Sequence, residues 1–176
     1  AQGLSDANMQ AFARWTNLSE TTFVTPATDP AADYAVRIFT PKSELPFAGH
    51  PTLGTAHAVI EAGLTTPKDG KVVQQCAVGL VEVSQSGSGL SFRLPRYAYE
   101  EAPEAEKLTA ALGEGAIKGV PEIVNVGPRW VIAELSSAEV VEQLAPDLAV
   151  LADYDRALAT TGMTVYAEKP DGDIVV

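Results

Sequence analysis

Two short segments of this sequence carry residue types that could move a proton on a small molecule. The first covers residues 16–23, in which Glu20 stands among hydroxyl-bearing and apolar residues. If this stretch alternates as a strand, Leu18, Glu20 and Thr22 share one face. A carboxyl group that is partly shielded from water on such a face is suited to passing a proton at neutral pH. The alternative is an ordinary solvated carboxylate on an exposed strand face.

The second segment, residues 49–54, reads Gly-His-Pro-Thr-Leu-Gly and has the composition of a helix start. Pro51 suits the first helical position, which would place His50 at the N-cap, where histidine caps poorly. The first-turn amides, including those of Thr52 and Leu53, would then be free to bind an anion such as a carboxylate. His50 beside them could donate a hydrogen bond or carry a proton. In the alternative, a side chain, a water or a loop satisfies these amides and the histidine is only packed.

The surrounding pattern predicts the elements that position these two segments. A helix over residues 7–15, a strand over 17–24 and a second strand over 34–39 come first, and an apolar helix follows over 52–61. Because that last helix is apolar nearly all round, we expect it to be buried, with His57 packed in the core.

The rest of the chain predicts strands over 71–76, 79–85 and 90–94, joined as hairpins by glycine-bearing turns, and then further strands with short helices between them. Together these patterns predict an α+β fold, in which a strongly curved, mostly antiparallel sheet wraps around a buried central helix. Consecutive hairpins argue against a parallel βαβ sheet. The chain opens without an initiator methionine, and residues 172–176 look like a strand that has only begun. We therefore expect a piece of a longer chain.

The composition narrows the function classes. The chain has 176 residues, of which 46% are hydrophobic and 20% charged, so it can bury a core. Its net charge of −11 argues against nucleic-acid binding, and no apolar stretch approaches the roughly 20 residues that span a bilayer. A single cysteine, Cys76, excludes an internal disulfide. We expect a cytoplasmic domain that either handles a small molecule or binds another protein.

Residues 17–24, 34–41 and 44–56 closely resemble, in order and spacing, the phenazine-biosynthesis-like (PhzF-like) isomerase family. The resemblance implies the diaminopimelate-epimerase fold, in which two similar lobes, each a barrel-like sheet around a central helix, enclose the active site. It also implies that residues 1–176 form the N-terminal lobe of this two-lobe fold, without its first strand and its second lobe.

The resemblance also implies roles for individual residues. Glu20 corresponds to the family's proton-shuttling acid/base, and His50 to the histidine that assists proton transfer and positions the substrate. The implied substrate-binding wall comprises Gly49, Pro51, Thr52 and Leu53. No metal or organic cofactor is implied. The implied partners are a small carboxylate-bearing substrate and a second copy of the chain in a homodimer, with no nucleic acid and no membrane.

Two departures from related proteins bear on the reaction. Epimerases of this fold use a pair of cysteines, which the lone Cys76 cannot form. The resemblance therefore favours an isomerase that moves a proton and a double bond over a racemase. The family's second lobe contributes an Asp-Pro-x-Thr-Gly segment that this sequence does not contain. A catalytically inactive domain that binds a metabolite or a protein therefore stays as the alternative.

Overall fold

A computed structural model of the chain describes residues 1, 3–87, 89–95 and 97–176. The chain divides into two compact units, Ala1–Arg96 and Tyr97–Val176. Each unit combines helices with one sheet, so the predicted α+β class is confirmed. All of the predicted site residues lie in the first unit. Among the described residues, no helix is long and apolar enough to cross a membrane.

The first unit has a six-stranded sheet in the order β1–β2–β4–β5–β6, with β3 paired to β2. Its elements are α1 (Asp6–Thr16), β1 (Thr21–Thr25), β2 (Tyr34–Phe39), β3 (Glu44–Leu45), α2 (Gly49–Glu61), β4 (Lys71–Cys76), β5 (Gly79–Ser86) and β6 (Gly89–Phe92). The predicted bounds of β2 and β4 match those observed, because both strands alternate clearly in sequence.

One pair of strands in this sheet is parallel, contrary to the sequence-based prediction. Tyr34 on β2 lies opposite Gln74 on β4, and the two strands run in the same direction. The helix α2 connects them and is therefore the helix of a βαβ crossover. The hairpins of β4, β5 and β6 are present as predicted. They lie next to the crossover in one mixed sheet and do not exclude it.

The two faces of this sheet are covered by different helices. Phe23 and Phe39 point to the face that packs against Met9 and Ala13 of α1. The opposite face carries the main core, into which α2 inserts its buried side. This core contains Tyr34, Val36, Ile38, Ala48, Ala56, Val59, Val72 and Val83.

The helix α2 buries one side only, so the prediction of an all-round buried helix is wrong for this unit. His57, expected in the core, is 71% exposed, and its Nε2 lies 3.6 Å from the Glu61 carboxylate. The exposed side of the helix also carries His50, Gly54 and Ala58, of which the last two are apolar by composition but tolerate exposure well. Among the described residues the sheet is open, since β1 and β6 each have one neighbouring strand. A barrel-like closure around α2 is therefore not confirmed.

The second unit has a five-stranded sheet in the order β11–β10–β9–β8–β7. Its elements are β7 (Ala98–Glu101), α3 (Ala105–Leu112), β8 (Ile117–Asn125), β9 (Arg129–Leu135), α4 (Ala138–Glu142), α5 (Leu148–Leu158), β10 (Gly162–Glu168) and β11 (Ile174–Val175). The β9–β10 pair is parallel and spans α4 and α5. A bulge between Lys118 and Glu122 interrupts β8, where Gly119 has a φ of 80° and Pro121 cannot donate to the ladder.

Candidate active site

A cavity of about 280 Å³ lies between the start of β1 and the first turns of α2. Two of the three stretches that carry the family resemblance therefore meet at one place. The lining residues are Leu18, Ser19, Glu20, Thr22, His50, Pro51, Gly54 and Thr55. The cavity brings together the predicted acid/base and the predicted histidine, and Pro51 of the predicted substrate wall lines it with them.

The strand predicted over residues 17–24 begins only at Thr21, so Glu20 lies immediately before β1. Its side chain is half-buried. Leu18, Glu20 and Thr22 all line the cavity, while Phe23 packs on the other side of the sheet. Ser19 lines the cavity as well, so the predicted strand alternation does not hold for the residues that precede β1. The carboxyl group therefore faces a partly enclosed space rather than the outer surface of a strand.

The helix α2 begins at Gly49, two residues before Pro51, which was predicted to be its first residue. Its N-cap is Ala48, in extended conformation (φ −154°, ψ 139°), and Gly49, His50 and Pro51 form its first turn. The prediction that His50 is the N-cap is therefore wrong. Pro51 is the third residue of the helix, and the first-turn amides have no acceptor within the helix. Proline, which has no amide hydrogen, therefore gives up no hydrogen bond at this position.

The earlier start shifts the free amides toward the N-terminal end of the segment. The amide of Thr52, predicted to be free, donates to the carbonyl of Ala48 over 3.2 Å. The first-turn amides without an intrahelical acceptor are those of Gly49 and His50. Among the described residues, no side chain caps this helix end. Free donors and the positive end of the helix dipole at this point favour an anionic group.

The remaining predicted wall residues lie away from the cavity surface. Thr52 is fully buried and its side chain points into the core, and Leu53 is half-buried against the same core. Gly49 is half-exposed and does not line the cavity with a side chain, so it offers only its backbone. In place of Thr52 and Leu53, the cavity is lined by Gly54 and Thr55. Helical spacing could have identified these two residues, since positions four apart share one side of a helix with His50 and Pro51.

Gly49 fits a close approach between the helix start and β6. A Cβ atom added at Gly49 would lie 3.1 Å from Cζ of Phe92, which is closer than ordinary van der Waals contact. The Phe92 ring packs edge-on against the fully buried Phe47, with ring centroids 5.5 Å apart. The start of α2 therefore lies close to the Phe92 ring of β6, and a larger residue at position 49 would have to displace that ring by a few tenths of an ångström.

Among the described residues, neither Cys76 nor a metal-binding cluster adds to this cavity. Cys76 ends β4, where burial raises the pKa of its thiol. Across the part of the chain that the structure describes, no group of three or more His, Cys, Asp or Glu side chains could hold a metal ion.

Known proteins share both the sequence and the fold. Antisense-enhancing sequence 1 of Schizosaccharomyces pombe is 40% identical over 179 aligned positions, covering 96% of this chain and 60% of that protein. Trans-2,3-dihydro-3-hydroxyanthranilate isomerase of Pseudomonas aeruginosa is 40% identical over 157 positions, covering 86% of this chain and 54% of that enzyme. The chain thus spans between half and two thirds of the length of these relatives.

A solved structure of a Bacillus anthracis phenazine biosynthesis protein of the PhzF family matches the fold. Its TM-score is 0.76 at 22% identity, covering 95% of this chain and 58% of that one. A family model described as phenazine biosynthesis-like protein (PhzC-PhzF) matches residues 1–174. The chain therefore belongs to the phenazine biosynthesis-like protein family.

Proposed function

We propose that the protein is a cofactor-independent isomerase that moves a proton and a double bond on a small carboxylate-bearing metabolite. In this proposal Glu20 is the general acid/base, His50 assists proton transfer, and the first turn of α2 holds the substrate carboxylate. Residues 1–176 form the N-terminal lobe of a two-lobe enzyme, whose second lobe would complete the site. A trans-2,3-dihydro-3-hydroxyanthranilate-like compound is the first substrate to test, because relatives at 35–40% identity are named isomerases of that compound.

The observation that carries the proposal is the shared cavity of Glu20 and His50 at an uncapped helix end. Its volume of about 280 Å³ lies just below the roughly 300–1,000 Å³ of typical ligand pockets and is large enough for a small metabolite. The half-buried carboxyl group has a partly enclosed environment for proton transfer. The free amides of Gly49 and His50 supply donors where a carboxylate could bind.

The proposed reaction balances without any external oxidant or reductant. The Glu20 carboxylate removes a proton from a substrate carbon, and the electrons of that C–H bond form a new double bond. The neighbouring double bond shifts, and its electrons take a proton from the Glu20 carboxyl group at another carbon. The negative charge that develops lies on the substrate, where helix amides and His50 stabilise it.

Solvent exchange tests this proposal on the complete protein. Incubation with trans-2,3-dihydro-3-hydroxyanthranilate in D₂O should give a product that carries deuterium at the carbon receiving the proton. Glu20→Gln should abolish turnover and incorporation while leaving substrate binding measurable by calorimetry. Glu61→Gln is the matched control, because this exposed glutamate lies outside the cavity. Undiminished incorporation in Glu20→Gln would remove Glu20 from the mechanism.

The two histidines of α2 provide a second matched pair. Both side chains are exposed, but His50 lines the cavity and His57 does not. His50→Gln should lower kcat by about 10²-fold, the range of a lost acid/base partner, and His57→Gln should not.

A metabolite- or protein-binding domain without catalysis is the competing proposal. Calorimetric binding of the test compound without turnover or deuterium exchange in the complete protein would support it. The homodimer and the cytoplasmic location belong to the isomerase proposal by family resemblance. Light scattering of the complete protein and microscopy of a tagged copy test them.

A further inference from the structure

A chain of buried hydrogen bonds runs from β2 through β4 to the start of α2. The Tyr34 hydroxyl donates to Oε1 of Gln74 over 3.3 Å. Nε2 of Gln74 donates to Oγ1 of Thr52 over 3.1 Å, and Oγ1 of Thr52 donates to the carbonyl of Ala48 over 2.9 Å. The chain therefore ends on the N-cap residue of the helix that carries His50.

These groups lie in the most deeply buried part of the unit. Gln74 and Thr52 have no exposed surface, and Tyr34 and Ala48 are 5% and 8% exposed. Burying an amide and two hydroxyl groups costs free energy unless each finds a partner. Here the partners are present: among the described residues, no buried side-chain nitrogen or oxygen atom lacks a hydrogen bond.

The position of these hydrogen bonds explains why a polar network lies inside an apolar core. A helix end is ordinarily held by a capping side chain that accepts from the first-turn amides. Ala48 provides no such side chain, so no side chain accepts from the amides of Gly49 and His50 among the described residues. Thr52 instead holds the Ala48 carbonyl twice, through its amide at 3.2 Å and its hydroxyl at 2.9 Å. The helix end is thus fixed from the core side, and its cavity side stays open.

We infer that Gln74 and Thr52 are positioning residues, which fix the first turn of α2 through the Ala48 carbonyl and leave its amides free for the substrate carboxylate. This inference rests on the proposed function, because it assigns the network a role in substrate binding. Neither residue touches the cavity, so both act through the placement of the Gly49 and His50 amides.

Two substitutions at Thr52 separate positioning from stability in the complete protein. Thr52→Val keeps the volume but removes the hydroxyl, which leaves Nε2 of Gln74 without its acceptor. Thr52→Ser keeps the hydroxyl but loses a buried methyl group. Both variants should lower Tm. Thr52→Val should raise KM for trans-2,3-dihydro-3-hydroxyanthranilate about tenfold, whereas Thr52→Ser should stay within about twofold of wild type.

Gln74→Met, which removes the amide at similar volume, should raise KM as Thr52→Val does. The double variant Gln74→Met with Thr52→Val should be no worse than the poorer single variant, since the two residues act as one unit. Val83→Ala is the matched control, because Val83 is fully buried in the same core and makes no side-chain hydrogen bond. It should lower Tm and leave KM unchanged.

A second readout keeps this inference distinct from the proposed function. The ¹H–¹⁵N resonances of the Gly49 and His50 amides should move in Thr52→Val and Gln74→Met, but not in Thr52→Ser or Val83→Ala. If wild type shows no turnover while these resonances respond as expected, the proposed function fails and the positioning of the helix end stands. If the resonances stay unchanged, or if KM in all four variants simply follows Tm, the positioning role is overturned.

Discussion

The hydroxyl group of Thr55 donates a hydrogen bond to the hydroxyl oxygen of Thr22 over 3.0 Å, which joins α2 to β1 on the wall of the candidate cavity. Thr55 is buried and Thr22 is half-buried. Thr22 stands two residues after Glu20 and lines the same cavity. The contact therefore ties the strand that follows the proposed acid/base to the helix that carries the proposed histidine.

Removing this hydroxyl pair should affect catalysis more than stability. Thr55→Val should lower the free energy of unfolding by about 1 kcal/mol, the typical net value of one hydrogen bond. It should also lower kcat/KM about tenfold, because the hydrogen bond that fixes the distance between β1 and α2 is lost. Urea unfolding and steady-state kinetics of the complete protein measure the two effects, and Thr55→Ser should restore most of the activity.

The opposite face of β1 offers a matched control. Thr16 on α1 makes a similar hydroxyl contact with Thr21, over 3.2 Å, away from the cavity. Thr16→Val should cost similar stability and leave kcat/KM unchanged. Equal kinetic losses in Thr16→Val and Thr55→Val would show that β1 as a whole, rather than its cavity side, sets activity.

A capping side chain at the start of α2 should stabilise the fold and weaken substrate binding. Ala48 has the extended backbone of an N-cap, so in Ala48→Ser the new hydroxyl can accept from the His50 amide. We expect a gain of about 0.5–2 kcal/mol in the free energy of unfolding. KM should rise, because the cap occupies a donor that the carboxylate needs.

Removing an existing cap elsewhere in the same unit should have the reverse pattern. Ser5 caps α1 by accepting from the Asn8 amide over 3.2 Å. Ser5→Ala should cost about 1 kcal/mol and leave KM at the wild-type value. An unchanged or lower KM in Ala48→Ser would contradict carboxylate binding at the start of α2.

The sequence was most informative where a pattern reports on local geometry. The alternation of residues 34–39 and 71–76 predicted β2 and β4 with their observed bounds. By contrast, the alternation predicted for residues 18–22 fails at Ser19, which lines the cavity with its neighbours because the strand begins only at Thr21. That Glu20 and His50 lie in one site was predicted only from the family resemblance, because their spacing in the sequence does not by itself indicate contact.

The failures concern features that depend on distant contacts. The parallel pairing of Tyr34 with Gln74 is set by where α2 returns the chain, which no local pattern encodes. The exposure of His57 was missed because glycine and alanine make a helix apolar on average without burying it. The role that we propose for Gln74 could not be predicted either, since nothing in the sequence around a single strand glutamine indicates that its amide donates a hydrogen bond to Thr52.

A methyl group at Gly54 should stabilise α2 and narrow the cavity. Gly54 is an exposed helical residue that lines the cavity, and a Cβ added there would have no heavy atom within 4 Å among the described neighbours. Gly54→Ala should raise the free energy of unfolding by about 1 kcal/mol, since alanine loses less backbone entropy. KM should rise as the methyl group takes up substrate space, and thermal unfolding with steady-state kinetics measures both.

An exposed position one turn further along the same helix provides the comparison. Ala58→Gly should lower stability by about 1 kcal/mol and leave KM unchanged, because Ala58 lies away from the cavity. If Gly54→Ala left KM unchanged for substrates of every size, the cavity would not be the substrate site.

Tyr34 should make the fold sensitive to alkaline pH. Burial raises the pKa of its phenol above the ordinary value of 10.0, and nearby Asp33 and Cys76 act in the same direction. The folded state thus holds the proton more tightly than the unfolded chain does. The stability linked to this proton is complete below about pH 10 and is lost as the pH rises further, by up to about 1.4 kcal/mol per pH unit.

Tyr34→Phe isolates this contribution because the other titrating groups are the same in both proteins. The variant should be less stable at neutral pH by about 1–3 kcal/mol, since Oε1 of Gln74 loses its buried donor. Above about pH 10 its stability should fall less steeply than that of wild type, so the two curves converge. Urea unfolding of both proteins across this range measures the slopes, and parallel curves would mean that Tyr34 ionises as readily in the folded state as in the unfolded one.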